Sequence, residues 1–196
     1  MSQINKIVGN TDIYLLDQIL KGRYQKTDVI LDAGSGSGRN LHWFYNNGFT
    51  VYGIDKDKNN IKDLKNTYSS QKANFYTSIV EDLNFKDHFF NHIICSAVLH
   101  FACNTVHFNT MFSELFRVLK PKGTIFIRVA SNMGIEDKIV SVSEGVFNLP
   151  DGTTRFLLTR SLLKSLQEQH KFSFLESLKT VNVNDQRCMT TLVLQK

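Results

Sequence analysis

Short apolar runs alternate with amphipathic segments along most of the chain, and this order predicts strands and helices in turn. Apolar runs at residues 29–31 and 49–54 flank helical material, which is the pattern of a βαβ unit with two parallel strands. Further strands are predicted at residues 73–79, 89–97 and 124–130. Five strands that alternate with helices imply a doubly wound α/β sheet with helices on both faces.

The helices are predicted from apolar residues that recur every three or four positions. One helix is predicted over residues 11–24, another around residues 61–68 and a third around residues 162–166. The strongest pattern covers residues 108–119, where apolar residues fall at i, i+3, i+4, i+7, i+8 and i+11. Pro121, with a glycine two residues on, is expected to end this helix before the next strand.

The chain is expected to form one domain over residues 1–196, since this length suits a single well-filled core. Residues 1–27 would form an N-terminal helical cap on that domain. Residues 131–158 are weakly periodic and contain three glycines and a proline. We expect this segment to be an insertion near the active site.

A glycine-rich loop follows the first predicted strand, in the stretch VILDAGSGSGRN. Gly34, Gly36 and Gly38 lie where the strand turns toward a helix, and glycine lets the backbone approach a ligand closely. The N–H groups at the start of that helix suit a carboxylate or a phosphate. A dinucleotide fingerprint would have a third glycine at position 39, where Arg39 stands instead. This arginine could pair with a small carboxylate.

Asp55 ends the second strand, 21 residues after Gly34. A carboxylate at this place can accept hydrogen bonds from both ribose hydroxyls of an adenosine. The alternative is that the glycines only form a tight turn and that Asp55 is a solvated strand end.

These residues, with the stretches VYGID, SIVEDLNF, HIICSAVLHF and ELFRVLKPKGTIFI, resemble the class I S-adenosylmethionine-dependent methyltransferases. The resemblance is clear over about residues 12–130 and rests on topology beyond them. It implies S-adenosyl-L-methionine as the cofactor and a Rossmann-like seven-stranded sheet, mostly parallel, with an antiparallel last strand. Runs at residues 172–183 and 187–194, joined by a short polar segment, predict the hairpin that supplies this strand.

The resemblance also implies roles for single residues. The methionine part of the cofactor would lie against the first strand end and its loop, at Asp32, Ala33, Gly34, Ser35, Gly36 and Arg39. Asp55 would bind the ribose, and the aliphatic stem of Lys56 would cover the adenine. Asp82 would reach the adenine amino group from a loop shared with Leu83 and with the alternative residue, Glu81. The chain beneath the sulfonium would be formed by Ser96, Ala97 and Val98.

His100 and Phe101 would face the acceptor side of the site. A general base is optional, because the sulfonium is already a strong electrophile. If one is needed, His100 is the candidate, since an imidazole pKa of about 6.5 suits proton transfer at neutral pH. The alternative is a histidine that only shapes the pocket. Phe101 and Tyr14 could contact the sulfonium by cation–π attraction, although aromatic residues at such spacing usually belong to the core.

The acceptor is expected to be a small molecule. The stretches GSGSGRN and SAVLHF have a weaker resemblance to a subgroup named for tellurite resistance, and a [DNS]-P-P-[YFW] tetrapeptide typical of base amino-group methylation is absent after the fourth strand. Arg128, Arg155 and Arg187 could recognise an anionic substrate or could be solvated surface residues. An RNA methyltransferase of the same fold and a non-catalytic cofactor-binding module are the alternatives.

The composition of the chain indicates less about its function than the motifs do. The net charge of +5 is spread along the chain without a dense basic cluster, so nucleic acid is a possible but not a favoured partner. No apolar run is long enough for a membrane span, and three cysteines without a close pair suit a reducing compartment. We therefore expect a cytoplasmic protein without a membrane partner. The spacing of Cys95, His100, Cys103 and His107 matches no common zinc site, and no metal is predicted.

Overall fold

A computed structural model describes residues 3–196 of the chain, which form two sheets and the helices that cover them. The strands, in chain order, are β1 (Val29–Ala33), β2 (Thr50–Asp55), β3 (Phe75–Thr77), β4 (Phe90–Ser96), β5 (Leu119–Ser131), β6 (Val140–Ser143), β7 (Val146–Asn148), β8 (Thr154–Phe156), β9 (Ser173–Phe174), β10 (Lys179–Val183) and β11 (Arg187–Gln195). The α-helices are α1 (Gln3–Val8), α2 (Ile13–Leu20), α3 (His42–Asn46), α4 (Lys58–Thr67), α5 (Thr105–Val118) and α6 (Arg160–His170). Two 3-10 helices follow α4 and β4, at Ser69–Asn74 and Leu99–Phe101.

Seven of the eight strands of the main sheet lie in the spatial order β10, β11, β5, β4, β1, β2, β3. The strands β5, β4, β1, β2 and β3 run parallel to one another, whereas β11 is antiparallel to both of its neighbours, β5 and β10. The short β9 pairs with the far end of β11. The predicted Rossmann-like sheet, mostly parallel with an antiparallel last strand from the closing hairpin, is confirmed.

Helices cover both faces of this sheet. Consecutive residues of its central strands point to opposite sides, so each of these strands presents apolar side chains to both faces. Ile30 packs into one cluster with Leu15 of α2 and Phe44 of α3, whereas its neighbour Leu31 packs into a second cluster with Phe112 of α5. All five side chains are buried. Burying one such side chain contributes about 1.5–3 kcal/mol, so the two clusters hold the helices on their respective faces.

The helix α5 carries the chain back from the end of β4 to the start of β5. Its cap is Asn104, whose side-chain oxygen accepts a hydrogen bond from the N–H of His107 at 2.8 Å. The helix passes directly into β5 at Leu119, earlier than the strand was predicted to start. Pro121 accounts for the end of the helix, since the residue before it, Lys120, is disfavoured in the helical region and favours extended backbone.

Residues 131–158 contain three strands that the sequence analysis did not predict. The strands β6, β7 and β8 form a small antiparallel sheet. It lies beside the end of β5, where the N–H of Leu158 donates to the carbonyl of Ala130 at 2.9 Å. All residues of β6 are exposed, and β7 has no buried residue. Without a buried face these strands leave no alternating pattern in the sequence.

Other element boundaries also differ from those predicted. The helix predicted over residues 11–24 is the shorter α2, which begins after Asp12, whose side chain accepts from the N–H of Tyr14 at 3.0 Å. The helix α1 lies within the predicted N-terminal helical cap, although no separate helix was assigned to its residues, and none of them is buried. The run at residues 172–183 divides into β9 and β10. Within residues 3–196, no helix has both the length and the apolar character needed to cross a bilayer.

Candidate active site

The glycine-rich loop lies at the carboxyl ends of the parallel strands and is fastened to β2. The N–H groups of Gly34 and Ser35 both donate to the carbonyl of Ile54, at 2.9 and 2.8 Å. Gly34 has a φ of +76°, and a Cβ there would lie 2.4 Å from a methyl group of Val98. Only glycine fits this turn. The helix α3 starts at His42 and has five residues, so the loop does not lead directly into a helix N-terminus as predicted.

Asp55 is held in place at the end of β2 by hydrogen bonds to both carboxylate oxygens. Oδ2 accepts from the N–H of Gly36 at 2.8 Å, and Oδ1 accepts from the N–H of Asp57 at 2.8 Å and from Nδ2 of Asn60 at 3.2 Å. A carboxylate has about four acceptor positions. The group is therefore oriented and retains capacity to accept from a ligand.

Asp32 is buried in β1, two residues before Gly34. Its Oδ2 has no hydrogen-bond partner among the described residues. Burial raises the pKa of Asp32 to about 7, an effect that the positive charge of Arg39 opposes and the negative charge of Asp55 reinforces. A buried carboxyl oxygen without a partner is costly, so this atom suits a ligand that brings a donor or a positive charge.

A first cavity of about 270 Å³ opens beside these groups. It is lined by Gly34, Asp55, Lys56, Ser78, Ile79, Val80, Glu81, Ala97, Val98, Phe101, His107 and Met111. The lining therefore combines the ends of β1, β2, β3 and β4 with one face of α5. The lining includes two carboxylates, those of Asp55 and Glu81, among mainly apolar residues.

The first cavity brings together some of the predicted cofactor residues and leaves others outside. Those that line it are Gly34, Asp55, Lys56, Glu81, Ala97 and Val98. Those that do not are Asp32, Ala33, Ser35, Gly36, Arg39, Asp82, Leu83 and Ser96. Ala33 and Leu83 are buried in the core, and the hydroxyl of Ser35 is bonded to the carbonyl of Ile54 at 3.1 Å.

The structure places Glu81, rather than Asp82, at the first cavity. Asp82, the residue preferred from the sequence, is exposed and is not among the lining residues. Glu81 Oε1 lies 3.2 Å from Nε2 of His107. The other ring nitrogen, Nδ1, accepts from the N–H of Cys103 at 3.2 Å, so Nε2 donates to Glu81 and fixes its carboxylate.

A second cavity of about 250 Å³ adjoins the first, and Ala97 lines both. Its lining is Ala97, His100, Arg128, Ala130, Leu149, Asp151, Thr153, Arg155, Arg187 and Met189. Ala97 has a φ of +63°, so the chain turns sharply after β4 and its small side chain stands between the two spaces. Of the residues predicted on the acceptor side, His100, Arg128 and Arg155 line this cavity, whereas Phe101 lines the first.

His100 lies in the second cavity with one ring nitrogen already bonded. Nδ1 accepts from the N–H of Ala130 at 3.3 Å, so the proton of the neutral ring is on Nε2. Burial, and then the positive charge of Arg155, lower the pKa of His100 to about 4. This arrangement suits a hydrogen-bond donor better than the predicted general base, because the basic nitrogen is engaged and weakly basic.

Asp12 joins the N-terminal part of the chain to the ends of the sheet, which the sequence analysis did not foresee. Its carboxylate is fully buried and accepts from Nη1 of Arg128 at 2.7 Å and from the hydroxyl of Ser96 at 3.5 Å. Arg39 lies 3.7 Å from it and donates to the carbonyl of Asn10. Arg39 is therefore already paired and lines neither cavity. Tyr14 also lines neither cavity and lies under the Arg128 guanidinium, at 5.3 Å.

Solved structures share this fold. An S-adenosylmethionine-dependent methyltransferase from Methanosarcina mazei is 21% identical, with 91% of this chain and 96% of that chain covered and a TM-score of 0.73. One from Clostridium acetobutylicum is 14% identical, with 97% and 95% covered and a TM-score of 0.71. A Burkholderia thailandensis 1,6-didemethyltoxoflavin-N1-methyltransferase, solved with 1,6-didemethyltoxoflavin and S-adenosylhomocysteine, is 19% identical, with 91% and 75% covered and a TM-score of 0.67. At these identities the likeness establishes the fold.

The family is assigned by a comparison of the sequence with a family model. The family model described as a methyltransferase domain matches residues 31–127, about half of the chain. The chain belongs to the class I S-adenosylmethionine-dependent methyltransferases. No curated protein sequence matches it. The methyltransferase is thus an enzyme with S-adenosyl-L-methionine as its cofactor, and the non-catalytic module is set aside. The narrower resemblance to the tellurite-resistance subgroup stays a prediction.

The residues of the methyltransferase fit this cofactor in two places. The unpartnered Oδ2 of Asp32 is a buried acceptor near the glycine loop, which suits the ammonium of the methionine part. A Cβ built at Gly36 would meet no atom within 4 Å, so the loop has open space beside its backbone. The site therefore matches the cofactor in charge, at Asp32, and in shape, at Gly36.

Several lining residues of the methyltransferase were missed from sequence. His107 and Met111 lie one turn apart on α5 and so share a face, but their spacing also fits the core face of that helix. Asp151 and Thr153 lie between β7 and β8, where no periodic signal exists. The missed lining residues of the two cavities are Ser78, Ile79, Val80, His107, Met111, Ala130, Leu149, Asp151, Thr153 and Met189.

Proposed function

We propose that the methyltransferase transfers the methyl group of S-adenosylmethionine, bound in the first cavity, to a small-molecule acceptor bound in the second. The observation that supports this is the shared lining residue Ala97, beside which the two cavities meet. A methyl donor and an acceptor must lie within reach of one another, in line and away from water. Two adjoining spaces, one of about 270 Å³ and one of about 250 Å³, provide such an arrangement.

The first cavity would hold the cofactor by its adenosine and methionine ends. Asp55, oriented by the N–H of Gly36, would accept from the ribose hydroxyls. Glu81, which His107 holds in place, would accept from the adenine amino group, and the stem of Lys56 would cover the ring. Asp32 would accept from the methionine ammonium, directly or through water.

When bound, the cofactor supplies an electrophilic methyl group, so the protein need not activate the donor. The residues of this chain position the partners and exclude water. Ala97 leaves room for contact between the two spaces because its side chain is a single methyl group. Phe101 covers the outer side of the first cavity, with the Arg155 guanidinium 5.1 Å from its ring centre. His100 would donate from Nε2 to the acceptor and hold it in place.

The size and walls of the second cavity favour a small acceptor over RNA. Residues 131–158 supply part of its wall through Leu149, Asp151, Thr153 and Arg155, and in this proposal they are the insertion next to the active site. The volume of about 250 Å³ is close to that of small-ligand pockets. The Lys and Arg residues are also spread along the sequence without the dense basic cluster that is typical of many RNA-binding segments.

The proposal can be tested with S-adenosylmethionine labelled in its methyl group. The full chain is incubated with a cell extract, which is then separated into small molecules, RNA and protein. We expect a labelled small-molecule product distinct from S-adenosylmethionine, and much less of this product with the Asp55→Ala variant. Label that enters RNA and resists removal of small molecules would contradict the proposed acceptor class.

A further inference from the structure

The polar groups of the second cavity come from parts of the chain that are far apart in sequence. His100 follows β4, Arg128 lies in β5, Arg155 in β8 and Arg187 in β11. We propose that these groups form a binding site for the carboxylate or phosphate of an anionic acceptor. That the bound anion is the methyl acceptor rests on the proposed function. The anion site itself can be tested without the cofactor.

The lining of this cavity has an excess of positive charge. It contains three guanidinium groups and one carboxylate, that of Asp151. Arg187 pairs with Asp151, with Nη1 and Oδ2 3.3 Å apart, and Arg128 pairs with the buried Asp12 at 2.7 Å. Arg155 has no carboxylate of the described chain within ion-pair distance. Its charge is thus uncompensated at a half-buried position in a partly open cavity, where an anion would be favoured.

Arg155 is nevertheless held in a defined position. Nη1 donates to the carbonyl of Thr154 at 2.8 Å, and the guanidinium lies 5.1 Å from the centre of the Phe101 ring. A guanidinium has five N–H donors, so most of them are free to bind a ligand. A planar, pre-positioned guanidinium is suited to bidentate contacts with a carboxylate or a phosphate.

His100 adds a neutral donor to this charged wall. Its Nδ1 accepts from Ala130, which leaves the N–H of Nε2 without a partner in residues 3–196. Because burial and the charge of Arg155 keep the ring neutral, the histidine does not need a counter-ion. A guanidinium and an imidazole N–H that line one cavity are a donor set for anionic oxygen atoms.

The rest of the lining indicates the body of the acceptor. Ala130, Leu149 and Met189 are apolar, and Met189 packs against the small cluster that contains Leu149. A volume of about 250 Å³ has room for a compact organic anion. The anionic group would lie against Arg155 and His100, and the apolar part would contact these three residues. The acceptor atom would then be presented toward Ala97.

The test uses three probes of similar shape: benzoate, phenyl phosphate and the neutral benzamide. Their binding to the full chain is measured by ligand-observed NMR, with and without S-adenosylhomocysteine. We expect at least one of the two anions to bind about tenfold or more tightly than benzamide. The anion that binds better shows whether the site prefers a carboxylate or a phosphate.

Variants assign this preference to the second cavity. Arg155→Gln is expected to abolish it, and Arg155→Lys to restore part of it, because lysine keeps the charge but not the fork of donors. The control is Arg160→Gln, which removes the same charge from an exposed position at the start of α6, outside both cavities. This control should bind as the wild type does.

The proposal is overturned if benzamide binds as tightly as both anions, or if neither anion binds. It is also overturned if Arg160→Gln weakens anion binding as much as Arg155→Gln. Calorimetry with S-adenosylhomocysteine alone tests the first cavity separately. Failure of the cofactor product to bind would count against the proposed function, whereas anion selectivity without cofactor would still support the anion site.

Discussion

The first cavity takes its polar residues from the end of β2, the segment after β3 and the first turn of α5, whereas the second takes its arginines from β5, β8 and β11. In the first, much of the geometry is fixed by backbone groups, such as the N–H of Gly36 on Asp55. In the second, it depends on long side chains held by distant partners, such as Asp12 on Arg128.

The binding groups of the first cavity are therefore positioned mainly by the fold, whereas those of the second are positioned by single side chains. A site made by strand ends and loop N–H groups is present wherever the sheet forms. A site made by side chains can change its selectivity without changing the sheet. The two cavities should therefore respond independently to substitution, with Ala97 as their point of contact.

The largest effect is expected at the glycine loop of the first cavity. Gly34→Ala should lower the free energy of unfolding by about 3 kcal/mol or more, through the strained φ and the contact with Val98. Gly36→Ala is the matched control, since its φ is also positive but no atom lies within 4 Å, and it should cost about 1–2 kcal/mol. Denaturant unfolding measures both, and equal losses would contradict the role of Val98.

The second cavity should make stability depend on pH through His100. Its folded pKa of about 4 lies below the ordinary value of 6.5, so the unfolded chain binds a proton more readily between these values. The free energy of unfolding should therefore fall by up to roughly 3 kcal/mol as the pH decreases through this window. Unfolding of wild type and His100→Gln across this range is the measurement. If the free energies of unfolding of wild type and His100→Gln differ by the same amount at every pH, the titration of His100 does not contribute to stability.

Cofactor affinity should depend on the first cavity only. Asp55→Ala should weaken the binding of S-adenosylhomocysteine by about 1–3 kcal/mol through lost hydrogen bonds to the ribose. Asp63→Ala, at an exposed position of α4, is the control and should have no effect. Arg155→Gln should leave this affinity unchanged in calorimetry. A comparable loss in Arg155→Gln would show that the two cavities are not independent.

The smallest expected effect concerns the proton on Asp32. Folding raises its pKa to about 7, so below that value the carboxyl group is protonated in the free protein. A bound ammonium group favours the ionised form, and binding should release up to one proton. Affinity for S-adenosylhomocysteine should then rise by at most about tenfold per pH unit, up to about pH 7. Calorimetry in buffers of different ionisation enthalpy detects this release, which Asp32→Asn should abolish.

The fold could be predicted because its signals are local. Ile30 and Leu31 are buried on opposite faces, so an unbroken apolar run marked a central strand. The glycines and Asp55 were found because a turn and a strand end constrain residue type at fixed spacing. The small sheet β6–β8 escaped prediction because its strands are short and largely exposed.

The rest of the site depends on contacts between distant residues. Arg39 was expected beside a ligand carboxylate but lies near Asp12, 27 positions earlier in the chain. Whether Glu81 or Asp82 faces the first cavity depends on how one loop turns, and adjacent acidic residues give no sign of it. The gathering of Arg128, Arg155 and Arg187 around one space follows from the pairing of β5 with β11 and the position of β8.

A crystal structure of the full chain with S-adenosylhomocysteine tests the central claim most directly, namely that donor and acceptor occupy adjoining cavities that meet at Ala97. The account predicts the ribose at Asp55, the adenine beside Glu81 and the sulfur next to Ala97, facing an open second cavity. A cofactor product whose sulfur points away from Ala97, or which itself fills the space between His100 and Arg155, would contradict it.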